Sequence, residues 1–250
     1  MIMVTFMTMR ITRFASMPHE TMTPRGLYQL LSWMSPGFPI GAYAYSHGIE
    51  FAVENGQVTD EETLRHWIEG VLMYGTGCTD TIFLAVAWRA VSNGDQATWK
   101  TTAEMAAAYR GTAELALENE AQGTAFIDAV SAAWPTLELE QWTLLLNQEE
   151  ITVSYPLAVA LASGSAGIPL ADTLTAYLHG VAANLVSSGV RLIPLGQTAG
   201  QRILAQLQKP VAESVENNGV RSLEDLGSAA PIIDWTSAQH ETQYTRLFRS

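Results

Sequence analysis

The chain has 250 residues, of which 48% are hydrophobic and 15% are charged, so it is long and apolar enough to bury one large core. Its 25 acidic and 13 basic residues give a formal net charge of −12. Because an acidic surface repels phosphate backbones, this charge disfavours nucleic-acid binding. The single cysteine, Cys78, excludes an internal disulfide and any CxxC redox or zinc motif, and it favours a reducing compartment.

The first 24 residues form a Met-rich stretch that includes Arg10 and Arg13. This stretch lacks the unbroken apolar core of a secretory signal, and we interpret it as a flexible leader rather than a transit peptide. No linker rich in Pro, Gly or Ser divides the remainder. We therefore predict one helical domain over residues 25–227 and a C-terminal docking tail over residues 228–250.

Apolar residues recur at spacings of three and four along most of the chain, and no strong alternating strand pattern is present. The sequence therefore predicts an all-α fold, a single helical bundle of about ten helices with an extended tail. The predicted helices cover 26–34, 43–54, 95–108, 112–133, 139–150, 155–165, 170–191 and 223–226. Further helices are expected after a Thr59–Glu62 capping box, after a break at Gly75, Gly77 and Thr79, and from Gln197.

The stretch SPGFPIGAYAYSHGIE, from Ser35 to Glu50, differs from the helical segments on either side. Pro36 and Pro39 stiffen it and exclude a helix interior. A helix is predicted to follow from about Tyr43, with Tyr45 and His47 in its first turns. A rigid connector that leads into aromatic residues indicates a recognition surface.

Between Ile151 and Val190 the only charged residue is Asp172. The prolines, glycines and serines in this stretch make membrane-spanning helices unfavourable, so no membrane association is predicted. A helix that is uncharged all round is buried in a core or against another subunit. The second helix of this stretch is therefore a candidate dimer surface, with Tyr177, His179 and Asn184 as its contact residues.

The sequence contains no phosphate-binding GxxxxGK[ST] loop, no HExxH, no GxSxG and no Rossmann glycine motif. We therefore expect neither catalytic residues nor a cofactor. An alternative from the enzyme class is a helical lyase or hydrolase with polar residues around His179 and Asn184. The absence of clustered aspartates on one helix face argues against a Mg²⁺-dependent form of it.

The five histidines lie in different elements: His19, His47, His66, His179 and His240. His47 and Glu50 have the spacing of a metal or acid–base pair on a helix, but a packing or interface role is favoured because no second ligand group is nearby in sequence. The acidic residues Glu114, Glu118 and Glu120, with Asn119, are interpreted as a solvated helix face.

The last residues combine buried-type and basic side chains: Tyr244, Leu247 and Phe248 lie beside Arg246 and Arg249. A frayed terminus is the ordinary interpretation of such a position. Aromatic residues are unusual in solvated disorder, however, so the composition favours a docking segment. This segment is expected either to fold back on the acidic body or to insert into a partner.

Three motifs carry a family resemblance. The stretch SPGFPIGAYAYSHGIE, followed by VTDEETLRHWIEG, resembles the N-terminal signature of the urease accessory protein F family. VRLIPLGQTAGQRIL, residues 190–204, resembles the PLGQ signature of that family, and HETQYTRLFRS, residues 240–250, resembles its C-terminal tail. The resemblance spans residues 27–250 except for 215–235. Ala199 departs from it, because an acidic residue is common at that position.

The resemblance implies a cytoplasmic, all-α homodimer that binds the urease accessory protein D (or H) and recruits the accessory GTPase G. This complex delivers nickel to apo-urease, and the F protein acts as an adaptor, not as the GTPase. The alternative is a nickel-binding metallochaperone with ligands from His47, His66, Cys78 or His240. The predicted partner-binding residues are Tyr43, Tyr45, His47, Glu50, His240, Glu241, Tyr244, Arg246, Leu247, Phe248 and Arg249.

Overall fold

The computed structural model describes residues 21–250, so His19 and nearly all of the predicted leader lie outside the described residues. Within this range the chain is helical and contains no strand, which confirms the predicted all-α, single-domain fold. The α-helices are α1 (Pro24–Trp33), α2 (Ile49–Glu54), α3 (Glu61–Tyr74), α4 (Thr76–Ser92), α5 (Gln96–Ala108), α6 (Ala113–Ala133), α7 (Leu137–Gln148), α8 (Tyr155–Ser165), α9 (Leu170–Leu192), α10 (Gln197–Asn218) and α11 (Pro231–His240). Short 3-10 turns cover Ala42–Ala44 and Leu223–Asp225.

Side-chain caps fix where several helices begin. The Asp95 and Thr112 side chains accept hydrogen bonds from backbone amides three residues later, and α5 and α6 begin at these caps as predicted. A capping box also starts α3, but its members are Asp60 and Thr63, one residue after the predicted Thr59–Glu62 pair. The predicted break before α4 is confined to Gly75, because Gly77 and Thr79 lie inside the helix.

The uncharged helix α8 lies at the centre of the bundle. Every residue from Tyr155 to Gly164 is buried, and the helix packs against α4, α6, α7 and α9. A helix without charges on any face has no side suited to water, so its central position follows directly from its sequence. The neighbouring helix α9 has one buried side, which includes Leu174, Leu178 and Leu185. The helix at 155–165 was predicted with the same bounds that the structure has.

Within residues 21–250, one helical stretch is long and apolar enough to cross a membrane, and it lies at Glu61–Ser92 rather than in the uncharged region. In the most apolar 18 consecutive residues of this stretch, 72% is buried inside the fold. Core helices of soluble proteins have this character, because their apolar faces contact other helices of the same chain.

The predicted continuous helix over 43–54 is wrong. After the 3-10 turn at Ala42–Ala44, Tyr45 is extended, and only Ile49–Glu54 forms an α-helix. His47 and Gly48 have φ values of 54° and 74°, which a right-handed helix cannot accommodate. A Cβ atom on Gly48 would lie 2.7 Å from the Ser237 backbone nitrogen, so the close approach of α11 requires glycine here.

The C-terminal region also differs from the sequence-based expectation. Helix α10 continues through Pro210 to Asn218, although the sequence loosens in composition from that proline. Residues 228–250 were predicted as an extended tail, yet they include α11. Only residues 241–250, which we call the C-terminal segment, lack helical structure at this end of the chain.

Gly123 allows α6 to approach the backbone that leads into α8. A Cβ atom at this position would lie 2.0 Å from the Val153 carbonyl oxygen. We expect Gly123→Ala to lower the free energy of unfolding by about 3 kcal/mol, because backbone atoms must shift to relieve the overlap. Urea unfolding measures this change. Gly227→Ala is the control, since nothing lies within 4 Å of its added Cβ, and equal stability of the two variants would contradict the expectation.

Candidate functional site

The C-terminal segment lies against residues 41–48, which we call the aromatic loop. The Arg249 amide donates to the Ala44 carbonyl oxygen over 2.8 Å, and the Ser46 amide donates to the Ser250 oxygen over 2.8 Å. The Ser46 hydroxyl donates to the same Ser250 oxygen. Phe248 and Ser250 are buried by this pairing. Of the two predicted arrangements of the segment, the structure shows the one that folds back on the body.

Glu50 anchors the segment from α2. Its Oε1 accepts a hydrogen bond from the Leu247 amide over 2.6 Å, and its Oε2 accepts one from the Phe248 amide over 2.9 Å. The carboxylate is buried. A buried carboxylate is costly unless donors surround it, and hydrogen bonds to a charged acceptor are stronger than those between neutral groups. Glu50 therefore depends on the segment as much as the segment depends on Glu50.

His240, at the end of α11, lies between two carboxylates. Its Nε2 is 3.1 Å from Glu50 Oε2, and its Nδ1 is 2.6 Å from Glu114 Oε2. A ring protonated on both nitrogens donates to both of these oxygens. Arg246 Nη1 donates to the other Glu114 oxygen over 2.6 Å. The Glu241 carboxylate accepts from the Ala113 amide over 2.9 Å, at the N-terminus of α6, where the helix dipole favours negative charge.

Glu118, one turn further along α6, is a second buried anchor. Its Oε2 accepts from the Ser250 hydroxyl over 2.7 Å, and its Oε1 accepts from Gln122 Nε2 over 2.9 Å. This corrects the predicted solvated face: Glu118 and Asn119 are buried, and Glu114 is paired, whereas Glu120 is exposed. The C-terminal partners of Glu114 and Glu118, which are His240 and Ser250, lie more than one hundred residues away in sequence, so periodicity along α6 gave no sign of them.

His47 links the aromatic loop to Glu118. Its Nδ1 is 3.2 Å from Glu118 Oε1, which is ion-pair distance, but the atoms are not aligned for a hydrogen bond. Burial by itself lowers the pKa of His47, but the neighbouring Glu118 carboxylate opposes that effect and holds the pKa above its usual value. His47 therefore favours the charged form more than a free histidine does.

Two cavities meet at His47 and Glu118. The larger has a volume of about 160 Å³ and opens beside Tyr43 and Asn184. Its other lining residues are mainly apolar, and most come from α1, from residues 34–40 and from α9. The smaller, of about 30 Å³, is lined by several polar and ionisable residues and extends to Asp80. Asp80 accepts hydrogen bonds from Arg110 and the Tyr177 hydroxyl, each over 2.7 Å. Burial and the Asp80 carboxylate hold the pKa of Tyr177 well above its usual value.

The other predicted site residues divide into exposed and internal groups. Tyr43, Tyr244 and Leu247 are exposed, with solvent-accessible areas that are 71%, 103% and 64% of the reference value for each residue type. Tyr45 is buried, and its carbonyl accepts from Asn184 Nδ2 over 3.3 Å. Among the predicted dimer contacts, His179 is exposed and Asn184 is half-buried. Tyr177 lies inside the core, so the prediction that it faces another subunit is wrong for this fold.

The four proposed nickel ligands lie apart. In the part of the chain that the structure describes, no three His, Cys, Asp or Glu side chains are arranged to hold a metal ion. Cys78 is buried near the start of α4, where burial raises the pKa of its thiol. Both nitrogens of His240 contact carboxylates, and His66 lies on α3 beside Arg65.

Arg191 is a residue of this surface that the sequence did not suggest. It lies in the last turn of α9, donates from Nη2 to the Tyr43 carbonyl over 2.9 Å, and places Cζ 4.4 Å from the centroid of the Phe248 ring. Its position immediately after the long uncharged stretch was the available signal. α9, the aromatic loop and the C-terminal segment therefore form one continuous surface.

Comparison with known proteins gives the family. A model of the UreF family matches residues 58–208, more than half of the chain. The urease accessory protein UreF of Rhodopseudomonas palustris (strain BisB5) is 47% identical over 224 residues, which cover 90% of this chain and 91% of that protein. The chain belongs to the UreF family of urease accessory proteins. The resemblance inferred from the three motifs is thus confirmed.

Other UreF proteins agree over similar lengths. That of Granulibacter bethesdensis (strain ATCC BAA-1260 / CGDNIH1) is 46% identical over 233 residues, or 93% of this chain and 98% of that protein. The UreF protein of Xanthobacter autotrophicus (strain ATCC BAA-1158 / Py2) is 46% identical over 231 residues, which cover 92% of this chain and 94% of that protein. The UreF family match ends within α10, whereas these alignments cover more than nine tenths of the chain.

Removal of the Glu50 carboxylate tests the anchor. We expect Glu50→Ala to lower the free energy of unfolding by roughly 2–4 kcal/mol, because the Leu247 amide, the buried Phe248 amide and the buried His240 ring lose their acceptor. Trypsin should also cleave faster after Arg246 and Arg249, since the segment is released. Glu120→Ala is the control and should change neither quantity, because Glu120 is an exposed glutamate on α6 that makes no hydrogen bond to the segment. A Glu50→Ala chain as stable and as resistant as wild type would contradict the anchor.

The raised pKa of His47 predicts a pH dependence. A raised folded-state pKa means that the charged ring stabilises the fold fully below the unfolded value of about 6.5, and that this contribution is lost as the pH rises through the folded-state pKa. The difference in unfolding free energy between wild type and His47→Asn should therefore shrink from about pH 6 to about pH 9. Asparagine tolerates the left-handed backbone, so the loop is retained. A difference that is constant with pH would show that Glu118 does not stabilise the imidazolium.

Proposed function

We propose that this UreF-family chain is a non-catalytic adaptor in urease maturation. In this proposal it binds the D- or H-type accessory protein and the G-type accessory GTPase, and the assembly inserts nickel into apo-urease in a GTP-dependent step. The chain acts in the cytoplasm as a homodimer and requires neither a cofactor nor contact with nucleic acid or membrane. The family match and the names of the relatives support the urease accessory role.

The observation that carries this proposal is the composite surface of the aromatic loop and the C-terminal segment. Tyr43, Tyr244 and Leu247 are exposed on it. Glu50 accepts two backbone amides of the segment, and Glu118 accepts the Ser250 hydroxyl. Tyrosine and arginine are the residue types that most often dominate interface energies. Exposed anchors on a fixed backbone lose little entropy on binding, which suits docking.

The buried polar groups support a structural role for the network. The Glu50, Glu114 and His240 side chains each bond to other groups of this chain, so the network is occupied in holding the fold together. The residues of the enzyme alternative do not converge: His179 is exposed, and Asn184 donates to the Tyr45 carbonyl. Their positions give the lyase or hydrolase alternative no support.

One observation favours the second candidate, a direct nickel-binding metallochaperone. His47 and Glu118 lie together at the junction of the two cavities, where His47 Nδ1 has no hydrogen-bond partner. Two donors make a weak site, because tight binding needs several convergent ligands. Calorimetry with Ni²⁺ separates the two functions. Tight stoichiometric binding that disappears in His47→Ala supports the metallochaperone, whereas weak binding supports the adaptor.

The proposed homodimer involves the exposed side of α9, where His179 lies beside the half-buried residues Gly180 and Ala183. Small residues allow two helices to approach closely, which makes this face suitable for a second copy. The mass in solution, measured by light scattering for wild type and His179→Asp, tests it: a dimeric wild type and a weakened variant support the proposal, and a monomeric wild type refutes it.

Capture of the two partner proteins tests the adaptor function. Deletion of residues 239–250 should abolish capture of both the D- or H-type protein and the GTPase, because the segment and its contacts are lost. Tyr43→Ala should weaken binding of at least one of them by about 2 kcal/mol, or roughly thirtyfold. Affinities are measured by titration of the purified full chain with each partner, with and without GTP.

Tyr28→Ala is the matched control, since Tyr28 is an equally exposed tyrosine on α1. The deletion removes the buried His240, so circular dichroism must show that the helices remain. Undiminished binding of both partners by the folded deletion variant and by Tyr43→Ala would refute the proposed surface.

A further inference from the structure

Most basic side chains in residues 21–250 are paired with a carboxylate of this chain. Lys or Arg side chains within 4.0 Å of Asp or Glu are Arg65, Lys100, Arg110, Arg202, Lys209 and Arg246. The other five basic side chains in this range take part in none of these ion pairs, and two of them, Arg191 and Arg249, are exposed and contact the same loop. In a chain with a net charge of −12, two unpaired guanidiniums at one place form a local positive surface.

Aromatic rings hold both guanidiniums in position. The Arg191 Cζ lies 4.4 Å from the centroid of the Phe248 ring, and the Arg249 Cζ lies 5.7 Å from that of the Tyr45 ring. Arg191 also donates from Nε to the Ser187 carbonyl over 3.2 Å. Because Nε and Nη2 of Arg191 already donate to oxygens of this chain, only its Nη1 is left for an outside acceptor. The Arg249 guanidinium makes no hydrogen bond within residues 21–250, so its planar fork is left to match a carboxylate.

The two arginines flank the backbone pairing between the aromatic loop and the C-terminal segment. Arg191 reaches the Tyr43 carbonyl, and the Arg249 amide reaches the Ala44 carbonyl. Tyr43, whose relative exposure is 71%, carries the first of these two carbonyls. The exposed Tyr43 side chain therefore lies near two guanidiniums that aromatic rings hold in place, on a molecule whose net charge is negative.

We propose that the surface of Tyr43, Arg191 and Arg249 binds an acidic segment of a partner protein. Aspartate or glutamate side chains of that segment pair with the two guanidiniums, and Tyr43 packs against the segment between them. This inference rests on the proposed adaptor function and adds the chemistry that the partner must offer. Free phosphate groups share the preference for arginine, but a phosphate-rich polymer would be repelled by the rest of the surface, which favours an isolated acidic segment.

Salt-dependent binding distinguishes this surface from a merely apolar one. The full chain is titrated with the purified D- or H-type protein and with the GTPase at about 50 mM and about 300 mM NaCl, concentrations that span weak and strong screening. Wild type should bind one partner more weakly at the higher salt concentration. Arg249→Gln and the Arg191→Gln/Arg249→Gln pair should bind that partner about tenfold more weakly at low salt and should lose most of the salt dependence.

Two control variants isolate the charge. Arg249→Lys should retain most of the salt dependence, because it keeps the charge and loses only the fork. Arg25→Gln removes an exposed arginine of α1 that forms no ion pair with any of residues 21–250, and this variant should bind as wild type does. Arg249→Gln is the decisive single variant, since Arg191 also holds the Tyr43 carbonyl. In the Arg249→Gln variant, the rate of amide hydrogen exchange at Phe248 should equal that of wild type, because the segment stays in place.

The outcomes separate the two proposals. If wild type binds neither protein, the adaptor function fails and this inference fails with it. If wild type binds but Arg249→Gln and the double variant retain its affinity and salt dependence, only the acidic-segment inference is overturned. As a competitor, a capped decaglutamate peptide should displace the partner more effectively than inorganic phosphate at equal charge. The reverse order would assign the surface to phosphate and overturn the inference.

Discussion

The Glu50 carboxylate is the group on which the rest of this surface depends. It is buried in the first turn of α2, accepts two backbone amides of the C-terminal segment and contacts His240 of α11. A buried carboxylate without donors costs several kcal/mol, so this one is compatible with the fold only while the segment and α11 surround it. The start of α2 and the contiguous residues of α11 and the C-terminal segment, which are distant from it in sequence, therefore form together. The last ten residues are part of the folded domain, as its helices are.

Helix α6 supplies the second part of the same arrangement. The Glu114 carboxylate contacts His240 and accepts a hydrogen bond from Arg246. The Glu118 carboxylate accepts a hydrogen bond from the Ser250 hydroxyl and lies beside His47. Glu118 thus touches both the C-terminal segment and the junction of the two cavities. A change in the position of the segment alters the electrostatic surroundings of His47, because one carboxylate serves both. The C-terminal segment and the junction of the two cavities are thus linked through a single charged side chain.

The sequence predicted those parts of the fold that depend on local pattern. Helix α8 lies where its uncharged composition placed it, and the Asp95 and Thr112 caps begin the helices they were expected to begin. The helix predicted over 43–54 failed because the turn at His47 and Gly48 brings the loop against α11, a contact that no local pattern records. Glu118 was interpreted as solvated for a similar reason, since the Ser250 hydroxyl is 132 residues away. The motifs identified the family, whereas the anchors beneath the surface required the three-dimensional arrangement.

Amide hydrogen exchange of the free wild-type chain tests the central claim most directly. If Glu50 holds the C-terminal segment on the body, the amides of Leu247, Phe248 and Arg249 are protected together with the Ser46 amide, because all four donate to buried or paired oxygens. The account predicts exchange at these positions that is slower by orders of magnitude than at the neighbouring Thr245. Exchange at the rate of an unstructured peptide throughout residues 241–250 would contradict it.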